Sequence, residues 1–532
     1  MNEKHTIKAR LLRGQNSITN TLKTIRECSG LTLRWVMPPQ DQSEDQLLPE
    51  SYQSVGSDGV AGLRGKLLAS LDPVDEPVFD LSPSPEVWHD PEISAGQKQG
   101  IADDLFLKQL LIQAKMDAVP AMRSRAGRDL GRRGHLSRTL DQIIVTGDSL
   151  EEMTDEYRSK LFRRDQYITL RDSSGLVLYH VVRERIDLLA LPEDVLARAE
   201  LDSDQRNHTD PEKRMVEHYT LVEYQPRSNN WVIRQEINDR TVLESQDKVS
   251  PYFSTATNLA PGENYGRGLV EQNLAGLRSL NALYRARHNL LALAANAKPV
   301  IDEDSNVTPE DLAKPAGTPI RARVRDGRVV DLAFLGYEKS QDFNMIDRGI
   351  ADLTDRMNRA FLVESEAGNP GGRDRVTRFE RSRVALELDS TMGGTYVVLA
   401  ESMTYPRISR MIWQMERDKL ITPTDDDLYE IHIRAGFAQV VRSTRSEKLL
   451  TLSQVMAGLQ AFDWLNPDQI ARAYSRYESI YEPGIIKSPQ ERAAEQQAQL
   501  QAQAQQVQSE QGAIAGREAA TQLASAAIQE RQ

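Results

Sequence analysis

Between residues 142 and 260 the hydrophobic pattern is short, β-branched and aromatic; after residue 268 it becomes long and helical. That switch constrains the fold more than any other feature of the chain. The runs IIV (143–145), QYITL (166–170), LVLYHVV (176–182), YTLVEY (219–224) and WVIRQEI (231–237) are separated by turn material such as DSSG (172–175) and PRSNN (226–230). Such spacing predicts antiparallel, hairpin-connected strands. One short helix, opened by Pro192, is expected within LPEDVLARAELD (191–202).

Helices dominate the rest, so the predicted class is α+β and helix-rich. Residues 269–297 carry Leu269, Leu274, Leu277, Leu280, Leu283 and Leu290 at helical spacing. Polar sequence then intervenes over 298–336, with a hairpin expected to turn at Asp326-Gly327. A second helix is expected from about Gln341 to Val363, followed by the glycine-rich stretch ESEAGNPGGRDR (364–375). A third spans about Val376 to Leu420, interrupted at Gly393-Gly394 and at Pro406. N-terminal to the strands, 1–36 reads as one amphipathic helix through Ile18, Leu22 and Ile25. Residues 60–71 form a helix stopped at Asp72-Pro73, the proline-rich 72–100 is irregular, and 101–135 is helical. Residues 443–488 again carry apolar residues at helical spacing. Residues 491–532 hold 12 Gln and 12 Ala with few large side chains, a composition that suits either a disordered tail or a helix packed on identical neighbours.

Composition narrows the function. At 532 residues the chain exceeds one domain, and 39% hydrophobic residues are few for a compact monomer of that length. The single Cys28 excludes a disulfide framework or a cysteine zinc site. No 18-residue apolar run is present and the N-terminus lacks an apolar signal core, so neither a membrane span nor secretion is expected. With 66 basic and 78 acidic residues the net charge is −12, which opposes bulk binding to a phosphate backbone.

Motifs of catalysis are missing. In GVAGLRGKLL (59–68), Gly65-Lys66 is followed by Leu67, and Val60 stands where a phosphate loop needs its first glycine. The eight histidines never pair at i, i+4, and G-x-S-x-G does not occur. The Asp425-Asp426-Asp427 cluster fits a solvated loop better than a two-metal site. We therefore expect no catalytic residues, no metal and no cofactor. Two arginine clusters stand out, MRSRAGRDLGRRGHLSR (122–138) and GGRDRVTRFERSR (371–383). The first is expected on a helix, where it could equally pair with acids of another subunit; the second begins in a glycine-rich loop, where contacts are commonly carried, although arginines without interleaved aromatics are weak evidence of nucleic-acid binding.

Several collinear segments resemble one family. APGENYGRGLVEQNLAGLRSLNALYRA (260–286) is similar to the most characteristic stretch of the portal proteins, or head-to-tail connectors, of short-tailed bacteriophages, with Glu263, Asn264, Tyr265, Gly266 and Arg267 as its signature. Residues 373–412 resemble the same family's segment leading into a kinked helix. KLLASLDP (66–73), IIVTGDSL (143–150) and the stretch 162–195 add further matches, so the resemblance covers about residues 15 to 460.

The resemblance implies the portal fold, assembled as a ring of twelve around double-stranded DNA. Residues 1–267 would form an α/β wing, 268–297 the first stem helix, 298–340 the clip and 341–363 the second stem helix. A tunnel loop would occupy 364–375, a kinked wing helix 376–430, a crown 431–489, and a helical barrel or disordered tail 490–532. It implies Arg373 and Arg375 as DNA contacts in the loop, Gly368, Gly371 and Gly372 as its hinge, and Gly393 and Gly394 as the helix kink. Implied partners are the terminase large subunit, major capsid and scaffolding proteins, tail adaptor and internal core proteins, with no membrane. The location would be the portal vertex of the virion after assembly in the host cytoplasm. A non-catalytic scaffolding or internal core protein is the alternative, although it leaves the β-rich segment and the paired helices unexplained.

Overall fold

A computed structural model describes residues 6–39, 50–72, 77–89, 92–118, 123–124, 127–128, 131–201, 203–295, 298–315, 317–325, 328–330, 332–335, 340–363, 395–433, 448–456, 470 and 474. The chain divides into two units, Met1–Gln439 and Val440–Gln532. In the second, residues 448–456 are helical, as the leucine spacing predicts, and Leu450, Leu452 and Val455 are exposed.

The first unit is a helix-rich α+β structure. Its larger sheet is a five-stranded antiparallel meander of Tyr167–Arg171, Val177–Asp187, Met215–Gln225, Asn230–Ile237 and Arg240–Asp247. Turn chemistry sets its register. Asp172 accepts from the backbone of Ser174 and Leu176 around Gly175, while Asn238 and Asp239 both take positive φ in the two-residue turn before the last strand. Side chains alternate across a strand, and here both faces are covered. Tyr167, Val182 and Val222 point into a core shared with a three-stranded sheet, in which Asp148–Met153 lies between Tyr252–Ala256 and Ser159–Phe162. Their neighbours Ile168, Val181 and Leu221 meet Ile7 and Leu11 of the helix Ile7–Ser17 on the opposite face. That helix is held at its start by the sheet itself, since the Ile7 amide donates to Glu236 at 2.7 Å. A carboxylate there satisfies a free N–H and complements the helix dipole.

Five local expectations change, the first being that 101–135 is not helical throughout, since Arg123–Ser124 pairs antiparallel with Gly127–Arg128 between the helices Ala95–Ala118 and Gly131–Thr146. The run 143–145 is the last turn of the helix Gly131–Thr146, whose Leu136, Leu140, Ile143 and Ile144 share one buried face. Helical burial overrides β propensity there, and the strand begins only at Asp148. Residues 1–36 form two helices, Ile7–Ser17 and Thr19–Leu31, rather than one. The proline-rich 72–100 contains the strand Phe79–Pro83, paired antiparallel with Tyr429–Ile433. Finally, Thr395–Arg417 runs as one helix through Pro406. Proline removes the bond to the carbonyl of Ser402, and the Thr255 hydroxyl donates to that carbonyl instead at 3.4 Å. Residues Gly393 and Gly394 lie outside the described residues.

The long helices behave as their periodicity predicts. Leu269–Gln272 and Leu274–Ala295 are separated by a break at Asn273, and Ser340–Ala360 forms the second. A Cβ on Gly276 would meet Met357, a Cβ on Gly349 would meet Leu283, and Arg287 pairs with Asp347 at 3.1 Å. As the number on one helix rises, its partner's falls, so the two helices are antiparallel. Between them, Lys298–Ile301 pairs with Leu332–Leu335, and a smaller hairpin pairs Arg325 with Arg328 across the two-residue turn expected at 326–327, itself outside the described residues. The helix pair packs on Val55–Leu71 and Gly131–Thr146 through Val60, Leu63, Leu277, Met357 and Phe361. Gly59 lies against the fully buried Phe361 ring, which a Cβ would approach to 2.7 Å. Gly59→Ala should therefore cost about 1–3 kcal/mol through overpacking, read as a lower urea midpoint; an unchanged midpoint would show that this contact is loose.

Candidate functional site

The signature Glu263–Arg267 lies where the strands hand over to the first long helix. Gly266 donates its N–H to Asp148 at 3.0 Å, and Arg267 donates its own to the Thr257 carbonyl at 2.7 Å. Thr257 in turn donates to the Gly147 carbonyl at 2.9 Å. Three glycines permit this backbone-to-backbone contact. A Cβ on Gly266 would sit 2.6 Å from the Thr257 nitrogen and 2.7 Å from the Gly147 oxygen. One on Gly268 would sit 2.7 Å from the Val145 oxygen, and Gly147, at φ +83°, touches the Arg267 backbone. Gly147 also ends the helix Gly131–Thr146 in the left-handed conformation that glycine adopts without cost.

The polar signature residues tie this contact to the larger sheet. Tyr265 accepts from the Thr169 amide at 3.2 Å, and its ring lies 3.9 Å from the Arg164 guanidinium. Asn264 accepts from the Arg171 amide at 2.7 Å through its side chain and from Arg171 Nε through its carbonyl. Arg171 also reaches Ser254 at 2.6 Å and the Gly175 carbonyl at 3.0 Å. Arg267 is exposed and pairs with the half-buried Glu263 at 3.0 Å, while Gly266 is buried. The signature is thus a structural fastener between two sheets and a helix, with no open ligand face.

Its charges are costly to bury. Asp148 is enclosed, and burial pushes its carboxyl up to about 6 despite Arg164 and the Gly266 amide. Arg164, fully buried, stands 3.9 Å from Asp148 and stacks between Tyr265 and Tyr167. Removing one partner of such a pair costs more than the pair is worth. One strand away, His180 contacts the Thr169 hydroxyl at 3.0 Å, and burial, aided by Arg171, pushes its imidazole down to about 3.

Sequence reading did not single out Asp148, Arg164 or Arg171. They belong to ordinary polar strings, IIVTGDSL and FRRDQYITLR, in which nothing marks one arginine as buried. The predicted loop residues Arg373 and Arg375, the hinge Gly368, Gly371 and Gly372, and the kink Gly393 and Gly394 lie outside the described residues. In the other arginine cluster, Arg123–Ser124 pairs with Gly127–Arg128, and Arg132, Arg133 and Arg138 begin a helix. Arg132 pairs with Asp72 and Asp117 of the same chain. Among the described residues, no group of three or more His, Cys, Asp or Glu is arranged to hold a metal ion, and no helix is long and apolar enough to cross a membrane.

Residues 4–483 match the model of the bacteriophage head to tail connecting protein family. The chain belongs to that family. The portal protein of Enterobacteria phage T3 is 28% identical over 437 residues, covering 79% of this chain and 76% of its own. That of Escherichia phage T7 is 26% identical over 462 residues, covering 82% and 80%. Among solved structures, a chain of the virion of the native gene transfer agent particle aligns with 84% of this chain and 91% of its own, at 12% identity and a TM-score of 0.37. The family match stops at residue 483, and the whole Gln/Ala-rich end lies beyond it.

Two outcomes test this head-to-tail connector's fastener. Gly266→Ala should cost about 3 kcal/mol or more, because the opposing atoms are backbone and cannot turn aside; Glu263→Gln should stay within about 0.5 kcal/mol. Equal midpoints in urea for the two variants would refute the close approach. His180 is depressed in the folded state, so its contribution is complete above pH 6.5 and is lost as pH falls toward about 3. Thermal melts across that window should show His180→Gln losing less stability on acidification than the parent.

Proposed function

We propose that this connector-family chain is a portal subunit: twelve copies form a ring at one capsid vertex and conduct double-stranded DNA during packaging and ejection. The antiparallel pair Leu274–Ala295 and Ser340–Ala360 is the observation that carries the reading. Two parallel-sided helices with an insertion at their far end, fastened at the near end to a sheet domain, suit a stem that lines a channel. In this reading residues 1–267 are the wing, 268–297 and 341–363 the stem, and 298–340 the clip. The tunnel loop is 364–375, the wing helix 376–430, the crown 431–489, and the barrel or tail 490–532.

The charge balance fits a conduit. Each arginine or lysine that meets a phosphate adds affinity through counterion release, and a channel that passes long DNA must avoid accumulating it. A chain at −12 repels DNA at long range. Arg373 and Arg375, on a loop hinged at Gly368, Gly371 and Gly372, would then brake backward slippage without reading sequence. The ring works without catalysis, metal or cofactor. It docks first the terminase large subunit and later the tail adaptor, and it meets major capsid, scaffolding and internal core proteins. Assembly in the host cytoplasm precedes its residence in the virion.

Negative-stain images of the purified chain should show twelvefold rings with a central hole; monomers or filaments would contradict the reading. Replacing Arg373 and Arg375 together by alanine should leave ring formation intact and increase loss of DNA from filled heads. Unchanged retention would remove the loop from this role.

A further inference from the structure

The first arginine cluster contributes to a feature that DNA conduction does not use. A cavity of about 390 Å³ opens between the start of the helix Gly131–Thr146, the strand Ser159–Phe162 and the helix Thr395–Arg417. That volume is within the range of small-molecule sites. Six basic side chains line it, Arg132, His135, Arg138, Arg158, Lys160 and Arg407, and among the described residues no carboxylate does. Its remaining wall is soft and apolar, built from Met116, Met153 and Met411 with the ring of Tyr157.

The cations are held by acids set behind the wall. Arg132 pairs with Asp72 and Asp117, Arg158 with Glu156, and Lys160 with Glu152 and Glu184. Arg407 and His135 share Glu151, whose carboxyl is pulled down to about 2 because the Arg407 charge and the hydrogen bond from His135 outweigh its burial. Such pairs fix the side chains yet consume only part of the five N–H groups on each guanidinium. Two features remain unanswered. Arg407 is 8% exposed, and its buried Nε has no hydrogen-bond partner among the described residues. Arg138 is exposed and makes no ion pair among the described residues. In addition, the first turn of the 16-residue helix at the cavity's edge contains no acidic residue, so its dipole is uncompensated from within.

We propose that this cavity binds a small phosphate ester with an apolar body. The phosphate would engage Arg138, Arg407 and the helix start, and the body would lie against the methionines. A guanidinium offers phosphate a planar fork of donors that an ammonium does not. A bare inorganic ion leaves the methionine wall unused, and an uncharged ring leaves the guanidinium forks of Arg138 and Arg407 unused, so neither alone fills the site.

Phenyl phosphate titrated into the full-length chain, in the oligomeric state in which it purifies, tests this by calorimetry, with phenol and inorganic phosphate alongside. Saturable binding is expected for phenyl phosphate, at least tenfold tighter than for either control. Arg138→Glu should weaken it at least tenfold while leaving the thermal midpoint unchanged, because Arg138 makes no ion pair among the described residues. Absence of phenyl phosphate binding, as when a neighbouring copy covers the cavity, would overturn the proposal. Phenol binding as tightly, or an unaffected Arg138→Glu variant, would overturn it equally. None of these outcomes depends on whether the rings conduct DNA.

Discussion

Gly147 and Gly266–Gly268 touch backbone to backbone, and the direction of the first long helix depends on that contact. The chain leaves one helix at Gly147, runs through both sheets, and returns at Gly266 to within van der Waals reach of its own starting point. Asp148 and Thr257 fasten the return with hydrogen bonds. A side chain at any of these glycines would push the helix Leu274–Ala295 away from the core that receives Leu277 and Leu280. Burying Asp148 and Arg164 beside this closure is expensive, and the cost buys a unique register that apolar packing alone specifies less sharply.

This closure explains why the signature is a run of small, polar and aromatic residues in an otherwise helical region. Tyr265 and Asn264 serve the sheet through Thr169 and Arg171, while Gly266 serves the backbone contact. A fastener made of main-chain hydrogen bonds ties the first long helix to both sheets more firmly than exposed ion pairs, which are worth little individually.

The elements with a strong period were legible from sequence: four of the meander strands, the helix after Pro192 and the helix pair. Where local preference conflicted with burial, the reading failed. Ile143, Ile144 and Val145 look like a strand but pack as a helix end, and Phe79–Pro83 hides among prolines because its partner, Tyr429–Ile433, lies about 350 residues away. Pairing at that separation leaves no local signal. The strands Arg240–Asp247 and Tyr252–Ala256 lack a clear apolar alternation and were equally invisible. At the site, the signature itself could be located, yet its role could not. Nothing in FRRDQY separates the buried Arg164 from the exposed Arg163 beside it; only the ring of Tyr265 above it does.

If the closure positions the stem, its amides must open only when the whole unit unfolds. Native-state hydrogen exchange of the Gly266, Arg267 and Thr257 amides measures this directly. The structure predicts protection matching the global unfolding free energy of the first unit, with the same denaturant dependence as its slowest core amides. Exchange of these three amides at the rate of exposed turns such as 226–229 would contradict it and leave the stem without its anchor.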